Sequence, residues 1–436
     1  MVTLLFLAQN VFVLTLTGEG GEVKVVVVGA GSTYTPELVS GLAARQHSLT
    51  VSEFVLLDPD RDRLDVVGAF AARILRAAQW PGRLTATTDR DGALDGADAV
   101  LMQLRVGGQR ARLHDETVPL ACGCLGQETT GAGGLGKSLR TVPVVLDLAE
   151  EVRRRAAADA WIIDFTNPVG IVTRALREAG HRAVGLCNVA IGLQRRIAGM
   201  LEVEPDRVLV DQVGLNHLSW IRRVLLEGVD VLPELLDRHG VALAEHVALP
   251  VELLRELGAI PSYYLRYYYA HDAVVAEQQQ GTPRAAQVQV IEDELLRLYR
   301  DPALVSKPPL LEQRGGAYYS EAAVALLTSL VTGDGAVHEV DVPNDGLLPG
   351  LADDDVVEVP ARVDRSGPHP LPQSPLAPEL LGLVQHVACY ERLAVRAALS
   401  GDPADIRKAL LGHPLVGQWD LAVELARVLP HALVPR

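Results

Sequence analysis

Cysteine is scarce in this chain of 436 residues, and its four cysteines are unevenly spaced. Cys122 and Cys124 lie one residue apart, whereas Cys187 and Cys389 stand alone. A disulfide framework would need more cysteines at closer spacing, so the pattern favours a reducing compartment, and we expect a cytoplasmic protein. A structural zinc site is also disfavoured, because no second Cys or His pair has zinc-finger spacing.

Positive charge and aromatic side chains are also in short supply. The formal net charge is -15, and such a surface would repel phosphate backbones and anionic membranes, so we expect no nucleic-acid or membrane partner. Only 4% of the residues are aromatic while 48% are hydrophobic, mostly Leu, Val and Ala, which is typical of an α/β enzyme. The length favours two domains.

The apolar run at residues 3–16 is too short to span a bilayer. No Lys or Arg precedes it and no convincing cleavage site follows, as a signal peptide would require. We interpret residues 1–22 as an extension that is disordered or results from a misplaced start codon, with a cryptic export signal as the alternative.

A dinucleotide-binding pattern follows directly. The β-branched run at residues 23–28 leads into a glycine turn, and Thr35-Pro36 then opens an apolar helical stretch. Backbone amides at such a turn suit a pyrophosphate. A second strand, residues 53–58, ends in a carboxylate where a Rossmann domain binds the ribose hydroxyls of NAD. The candidate cofactor-binding residues are Gly29, Gly31, Ser32, Thr33 and Asp58.

The dinucleotide fingerprint is incomplete, because Tyr34 stands where a third glycine is expected, and such turns also occur without a nucleotide. Further buried strands at residues 95–104, 161–165 and 184–186 support a doubly wound parallel sheet whose carboxyl ends line one crevice. We therefore expect an α/β fold with a Rossmann domain at residues 23–192 and an α+β domain at 193–436. In the second domain we expect a loop at 334–350, a strand at 353–360 and a proline-rich connector at 365–378.

Cys187 and His217 form the best candidate for a metal site. Cys187 follows the predicted strand at 184–186, on the crevice side of the sheet, and His217 lies thirty residues further along. A thiolate with an imidazole suits zinc, iron, cobalt or manganese, and two protein ligands leave positions for substrate oxygens and water. The alternative is a buried thiol and a hydrogen-bonding histidine.

Three other segments could contact a ligand. Residues 127–137 read as a glycine-rich loop that could approach a ligand with its backbone, and Glu128 at its head could bind sugar hydroxyls. Arg105 follows a strand on the crevice side. Residues 263–269 hold half of the ten tyrosines, which indicates either amphipathic packing or a phenol base whose pKa a nearby cation lowers from about 10.

Taken in order, these motifs resemble glycoside hydrolase family 4, the NAD- and divalent-metal-dependent glycosidases, and most closely its 6-phospho-β-glucosidases. The resemblance covers about residues 23–414, and it implies a Rossmann domain followed by an α+β domain, as in lactate and malate dehydrogenases. The motifs that carry it are RVGG at 105–108, GQETTG at 126–131, LRTVP at 139–143, TNP at 166–168, GLCN at 185–188, GLNH at 214–217, YLRYY at 264–268 and YSEAA at 319–323.

The resemblance implies hydrolysis of 6-phospho-β-glucosides by redox elimination: NAD takes hydride from sugar carbon 3, a base removes the carbon 2 proton, and the aglycone leaves. Water then adds and the hydride returns. It also implies a homodimer or homotetramer and points to manganese as the metal. The matching positions are Tyr264 as the base, Cys187 and His217 as metal ligands, and Arg105, Glu128, Asn167, Asn188 and Arg284 as substrate-binding residues.

Some positions depart from the family pattern. Asn188 replaces the aspartate found after the cysteine in α-acting members, which favours a β-linked substrate. Ala190 stands where the family usually has proline, and residues 277–284 lack the usual family pattern. The role of Arg284 and the requirement for a substrate phosphate therefore rest on fewer matching residues. The alternatives are a family 4 enzyme for unphosphorylated or α-linked glycosides, a 2-hydroxy-acid dehydrogenase, or a nucleotide-sensing binding protein.

Overall fold

The computed structural model describes residues 12–14, 23–315 and 318–430. Most of the predicted extension therefore lies outside the described residues. Its described part, Phe12–Leu14, is a short strand paired antiparallel with Arg83–Thr87, so that Val13 faces Thr85. No helix among the described residues has the length and apolar character needed to cross a lipid bilayer.

All strands of the described chain belong to one sheet, whose spatial order is β1-β4-β3-β2-β5-β6-β7-β12-β13-β8-β9-β10, with β11 on β9 and β14 on β13. The strands are β1 Phe12–Leu14, β2 Lys24–Val28, β3 Glu53–Leu57, β4 Arg83–Thr87, β5 Ala99–Met102, β6 Trp161–Asp164, β7 Ala183–Gly185, β8 Val208–Leu215, β9 Leu218–Leu226, β10 Val229–Asp230, β11 Ile260–Pro261, β12 Val337–Pro343, β13 Val356–Asp364 and β14 Gly367–Pro370.

Helices cover the sheet and build the remainder of the described chain. They are α1 Thr35–Ala44, α2 Arg61–Ala77, α3 Arg90–Leu94, α4 Gly108–Ala121, α5 Gly131–Arg155, α6 Val169–Glu178, α7 Val189–Met200, α8 Leu232–Val247, α9 Val251–Leu257, α10 Arg266–Tyr269, α11 His271–Gln280, α12 Arg284–Tyr299, α13 Leu310–Gln313, α14 Tyr319–Thr332, α15 Pro378–Ser400, α16 Pro403–Leu411 and α17 Trp419–Val428.

Six neighbouring strands, β4-β3-β2-β5-β6-β7, run parallel. This is the strand order of a doubly wound dinucleotide-binding domain, and it confirms the predicted α/β fold. The valines of β2 are buried because helices cover both faces. Gly29 then turns the chain at φ +86°, where a Cβ would lie 2.7 Å from the carbonyl oxygen of Gln103. Only glycine fits this close approach.

The antiparallel strands extend the same sheet. Strand β12 pairs with β7 where Asp341 faces Gly185, and β13 pairs with β8 where Glu358 faces Gly214. A Cβ on Gly185 would lie 2.8 Å from the Cβ of Asp341, so the absence of a side chain allows this junction. The turn between β8 and β9 is thereby brought beside the end of β7.

Two expectations for the second half were wrong. Residues 334–350, predicted as a loop, contain β12, which is stabilised by pairing with β13 along its length and with β7 at one end. The expected connector at 365–378 contains β14, which pairs with the end of β13. In both cases tertiary pairing overrides the local Gly, Pro, Asn and Asp content.

Candidate active site

One cleft of about 1320 Å³ opens at the carboxyl ends of the parallel strands, and residues from both halves of the chain line it. It brings together most of the residues predicted from the sequence. These are Gly29, Gly31, Ser32, Asp58, Arg105, Glu128, Asn167, Asn188, Tyr264 and Arg284. Cys187 and His217 do not line the cleft, but both are buried beside it, as described below.

At one end of the cleft Asp58 faces the glycine turn. Its carboxylate accepts hydrogen bonds from the backbone N–H groups of Gly31, at 2.8 Å, and Asp60, at 2.9 Å. A Cβ on Gly31 would lie 2.9 Å from the same carboxyl group. Burial raises the pKa of Asp58, and the two backbone hydrogen bonds oppose that shift. The carboxylate stands where a dinucleotide ribose would bind.

Thr33 is not brought to the cleft. It is fully buried, and its carbonyl oxygen accepts a hydrogen bond of 2.7 Å from the Tyr299 hydroxyl at the end of α12. Its hydroxyl has no partner among the described residues. Thr33 therefore joins the glycine turn to α12.

Arg314 reaches the same turn from the second half of the chain. It was not among the predicted site residues, because an isolated arginine carries no recognisable pattern. Its Nη2 lies 2.9 Å from the Glu292 carboxylate and 3.5 Å from the Ser32 hydroxyl. Its guanidinium lies over the ring of Tyr34, 5.4 Å from the centroid. Arg63 completes the cluster, with Nε donating to the Gly31 carbonyl at 3.0 Å. Two cations therefore flank the candidate pyrophosphate site.

Glu128 lies at the centre of a second cluster of cations in the cleft. Its carboxylate contacts Arg105, Lys137 at 2.6 Å and Arg112 at 3.1 Å. Burial alone would raise the pKa of Glu128, but the three cations hold it well below its usual range. Burial lowers the pKa of Lys137 to about 8, against the opposing effect of Glu128. Glu128 is a counter-ion that gathers these cations, whereas the sequence indicated only an acceptor for sugar hydroxyls.

The glycine-rich segment is the start of helix α5, where a loop was expected. A Cβ on Gly134 would lie 2.7 Å from the carbonyl carbon of Thr129, and a Cβ on Gly133 would overlap the carbonyl oxygen of Gln127. The glycines therefore allow the turn at residues 127–130 to pack directly on the first turns of α5. The glycine content predicted a loop because the close packing that requires these glycines is a tertiary contact, which the sequence does not reveal.

Cys187, His217 and Tyr264 meet although they come from three separate segments. Cys187 follows β7, and its thiol is hydrogen-bonded by the Asn216 side chain. His217 occupies the tight β8–β9 turn at φ +63°. Its imidazole stacks on the phenol of Tyr264, with ring centroids 3.5 Å apart and planes 6° from parallel.

Burial keeps this group uncharged in the absence of a ligand. It raises the pKa of the Cys187 thiol, with smaller contributions from Glu358 and Asp341, and it raises the pKa of Tyr264 well above its usual value. Burial and the nearby Lys137 lower the pKa of His217 to about 3. A thiol beside a neutral imidazole suits a divalent metal, whose charge favours the thiolate.

The donor set fits a metal that takes further ligands from substrate or water. Among the described residues no third Cys, His, Asp or Glu lies close enough to complete a metal site from the protein alone. Asn167, after β6, lines the cleft, and its Oδ1 is buried without a partner in the part of the chain that the structure describes. Asn188 is the N-cap residue of α7 and lines the cleft next to Cys187.

Arg284 begins α12 at the rim of the cleft. Its guanidinium donates to the Gln313 carbonyl at 2.7 Å and to Gln287 Oε1 at 3.2 Å. Burial lowers its pKa, and the nearby Arg112 adds to this. Arg284 and Arg112 thus bring positive charge to one side of the cleft.

Comparison with known proteins covers both halves of the chain. Residues 24–203 match the family described as "Family 4 glycosyl hydrolase", and residues 212–416 match "Family 4 glycosyl hydrolase C-terminal domain". The chain is 40% identical over 432 residues to "6-phospho-beta-glucosidase" of Escherichia coli (strain K12), an alignment that covers 94% of this chain and 95% of that protein.

Solved structures agree with this assignment. The 6-phospho-beta glucosidase of Thermotoga maritima, solved with manganese, NAD+ and glucose-6-phosphate, superposes with a TM-score of 0.88 at 33% identity, over 94% of this chain and 98% of that one. Lactate dehydrogenase from Eimeria maxima gives a TM-score of 0.53 at 15% identity over 88% of this chain and 98% of that one, so that likeness is one of fold alone. Because the matches span both halves that build the cleft, this chain belongs to family 4 of the glycosyl hydrolases.

Proposed function

We propose that this enzyme hydrolyses 6-phospho-β-glucosides by redox elimination, with NAD and manganese as its cofactors. The observation that carries the proposal is the meeting of Cys187, His217 and Tyr264 beside a cleft whose other end is built for a dinucleotide. A hydroxy-acid dehydrogenase would have no use for this group. The names of the relatives at 35–40% identity support the same substrate class.

The charges of the cleft support an anionic substrate. Arg105, Arg112 and Lys137 surround Glu128, and Arg112 also pairs with Glu116 at 2.7 Å. With Arg284 at the rim, cations outnumber carboxylates in this part of the cleft. Because the whole chain is strongly acidic, local positive charge of this kind indicates a site for a phosphate group.

The side chains have distinct roles in the proposed reaction. Tyr264 takes the proton from sugar carbon 2 as its phenolate, which the charge of a bound metal and of the nearby Arg112 would favour against the effect of burial. Asn167 accepts a hydrogen bond from a sugar hydroxyl through its unpartnered Oδ1. Cys187 and His217 hold the metal. When bound, NAD accepts the hydride of carbon 3 and manganese polarises the oxygens of carbons 2 and 3.

Asn188 supports the β-specificity. Its amide follows the metal-binding thiol and lines the cleft, yet an amide has no acidic proton to give to a leaving aglycone. The family resemblance implies an aspartate at this position in α-acting members. The aglycone of this enzyme therefore leaves without an acid from position 188.

Hydrolysis of p-nitrophenyl β-glucoside 6-phosphate tests the proposal, measured under reducing conditions with and without NAD and Mn²⁺. We expect nitrophenol release only when both are present, with no accumulation of NADH, because the hydride returns within each turnover. Accumulation of NADH would contradict the redox-neutral route. Turnover of the unphosphorylated or α-linked analogue in place of this substrate would contradict the proposed specificity.

A further inference from the structure

The turn between α4 and α5 touches the candidate metal site through one hydrogen bond. The hydroxyl oxygen of Thr129 lies 3.0 Å from Nδ1 of His217. The distance alone does not identify the donor, because either the hydroxyl or the ring nitrogen could carry the shared proton. The remaining bonds of Thr129 decide the direction.

Gln127 fixes the hydroxyl proton of Thr129. Its side-chain oxygen accepts hydrogen bonds from the backbone N–H groups of Thr129 and Thr130, the latter at 3.1 Å. A backbone N–H can only donate, so the atom that receives both bonds is the amide oxygen and not the amide nitrogen. The Thr129 hydroxyl lies 2.8 Å from the same oxygen and must donate to it.

A hydroxyl group has one proton, so Thr129 can only accept from His217. Nδ1 of His217 therefore carries a hydrogen. In the neutral ring this leaves the lone pair on Nε2, and no protein group among the described residues hydrogen-bonds to that atom. The directions of the hydrogen bonds between Gln127, Thr129 and His217 therefore follow from the backbone N–H groups of Thr129 and Thr130, which can only donate.

We propose that Gln127 and Thr129 are positioning residues that hold His217 in its Nδ1-protonated tautomer, leaving Nε2 as the nitrogen that binds the metal. The metal itself rests on the proposed function above, but the position of the proton does not. Partners of this kind orient the ring and fix its tautomer at metal sites in general.

The surrounding packing holds the turn in place. The backbone N–H of Gly131 donates to Nε2 of His413 at 3.1 Å, and Gly134 lies directly under Thr129. The hydroxyl is therefore presented to His217 by a backbone that α5 supports over several residues. This explains why the segment combines a Gln-Glu-Thr-Thr turn with closely spaced glycines.

The tautomer can be read directly in metal-free protein labelled with ¹⁵N-histidine, from the two-bond ¹H–¹⁵N correlations of the ring. The His217→Gln variant identifies the signal by its disappearance. We expect a protonated Nδ1 and an unprotonated Nε2 for His217. A proton on Nε2 with an unprotonated Nδ1 would overturn the proposal.

Variants at Thr129 test the consequence for the metal, with the free Mn²⁺ signal in electron paramagnetic resonance as the readout. Thr129→Val keeps the shape but removes the acceptor, and we expect Mn²⁺ affinity to fall roughly 10–100-fold and the ring to lose its single tautomer. Thr129→Ser keeps the hydroxyl and should restore both properties. Thr332→Val, which removes a hydroxyl bonded within α14 at 2.8 Å, serves as the matched control.

Gln127→Met should also release the tautomer of His217 and weaken Mn²⁺ binding, because it frees the Thr129 hydroxyl to donate a hydrogen bond to Nδ1 of the ring. Unchanged Mn²⁺ affinity in both Thr129→Val and Gln127→Met, or equal losses in Thr129→Ser and Thr129→Val, would overturn the proposal. If the unaltered protein binds no Mn²⁺ at all, the proposed metal dependence fails, while the ring spectrum of the same sample still decides which nitrogen is protonated.

Discussion

At the scale of single residues, the sequence supplied candidates for the reactive groups, whose chemical roles stay predictions, but not the contacts around them. Cys187, His217 and Tyr264 stood out because their residue types and motifs pointed to metal and base chemistry. Arg112 did not, and Thr129 and Lys137 were recognised only as part of a glycine-rich segment, since the contacts of Arg112 with Glu128 and of Thr129 with His217 join distant parts of the chain. The sequence predicts a residue's chemistry better than its partners.

Replacement of Tyr264 by Phe tests the assignment of the base. We expect kcat to fall about 10²–10⁴-fold, the range for loss of a general base, with NAD binding unchanged because loss of the phenol oxygen leaves the glycine turn and its hydrogen bonds to Asp58 and Arg63 in place. Exchange of the carbon 2 proton with D₂O, followed by NMR, should fall in parallel. Tyr269→Phe is the matched control, because Tyr269 belongs to the same segment but does not line the cleft. Undiminished exchange in Tyr264→Phe would show that another group is the base.

Asp164, at the end of β6, allows a prediction about pH. Burial raises its pKa from 3.8 to about 8, against hydrogen bonds from Thr166 and Thr173. Between these values the folded state holds a proton that the unfolded state has lost. The contribution of this proton to the free energy of unfolding is therefore fully present below about pH 4. It is lost as the pH rises towards 8, by at most about 1.4 kcal/mol per pH unit.

In Asp164→Asn this loss should disappear, because the amide does not titrate and its oxygen can still accept the Thr166 N–H bond of 2.9 Å. Urea unfolding at several pH values between 5 and 8 would show a shallower decline of the unfolding free energy than in the unaltered protein. Asp159→Asn, at an exposed position before the same strand, controls for the change in net charge. Identical slopes for Asp164→Asn and the unaltered protein would contradict the assignment.

At the scale of helices and strands, five of the six parallel strands were predicted to within a few residues, since buried apolar runs followed by Gly, Asp or Asn are distinctive. Strand β4, Arg83–Thr87, was not predicted, because polar residues interrupt its short apolar pattern. The beginning of α5 and strand β12 were missed for one reason. Each contains residues that disfavour its conformation locally, and each is stabilised by a close neighbour: the turn at 127–130 for α5, and β13 for β12.

Gly134→Ala tests the packing at the start of α5. The added Cβ would lie 2.7 Å from the backbone of Thr129, so we expect the turn to move, and both the melting temperature and Mn²⁺ affinity to fall. Gly382→Ala in α15 is the control, because nothing lies within 4 Å of its added Cβ. That variant should be stabilised, by up to about 1 kcal/mol, through helix propensity alone. A stabilised Gly134→Ala with normal Mn²⁺ affinity would refute the close packing.

At the scale of the whole molecule, the cleft exists because the second half of the chain folds back over the Rossmann sheet. Arg314 and Glu292 approach the glycine turn from α12 and the segment after it, so the dinucleotide end is incomplete without them. The change in pattern after residue 193 predicted a second part of the chain, and that boundary stays a prediction. The contacts across the cleft were not, because no local pattern links Glu292 to Arg63.

Glu292→Gln should weaken NAD binding. Glu292 is buried and pairs with Arg314 at 2.9 Å and Arg63 at 3.4 Å, and its loss leaves two cations without their carboxylate. We expect the NAD dissociation constant to increase about tenfold, equivalent to about 1.4 kcal/mol, because both arginines lose the carboxylate that holds them in place. Calorimetric titration with NAD measures this. Glu294→Gln, which removes a surface partner of Arg297 on the same helix, should bind NAD normally, and equal affinities in all three proteins would contradict the prediction.

The stacked rings of His217 and Tyr264 have a consequence for how the enzyme recovers from loss of its metal. Rings 3.5 Å apart cannot turn independently, and His217 is further tethered through Thr129. The conformational entropy of ordering this ligand is therefore lost during folding and not when the ion arrives. If His217 binds the metal as proposed, a chelated enzyme should therefore keep its shape and regain activity on addition of Mn²⁺ without refolding.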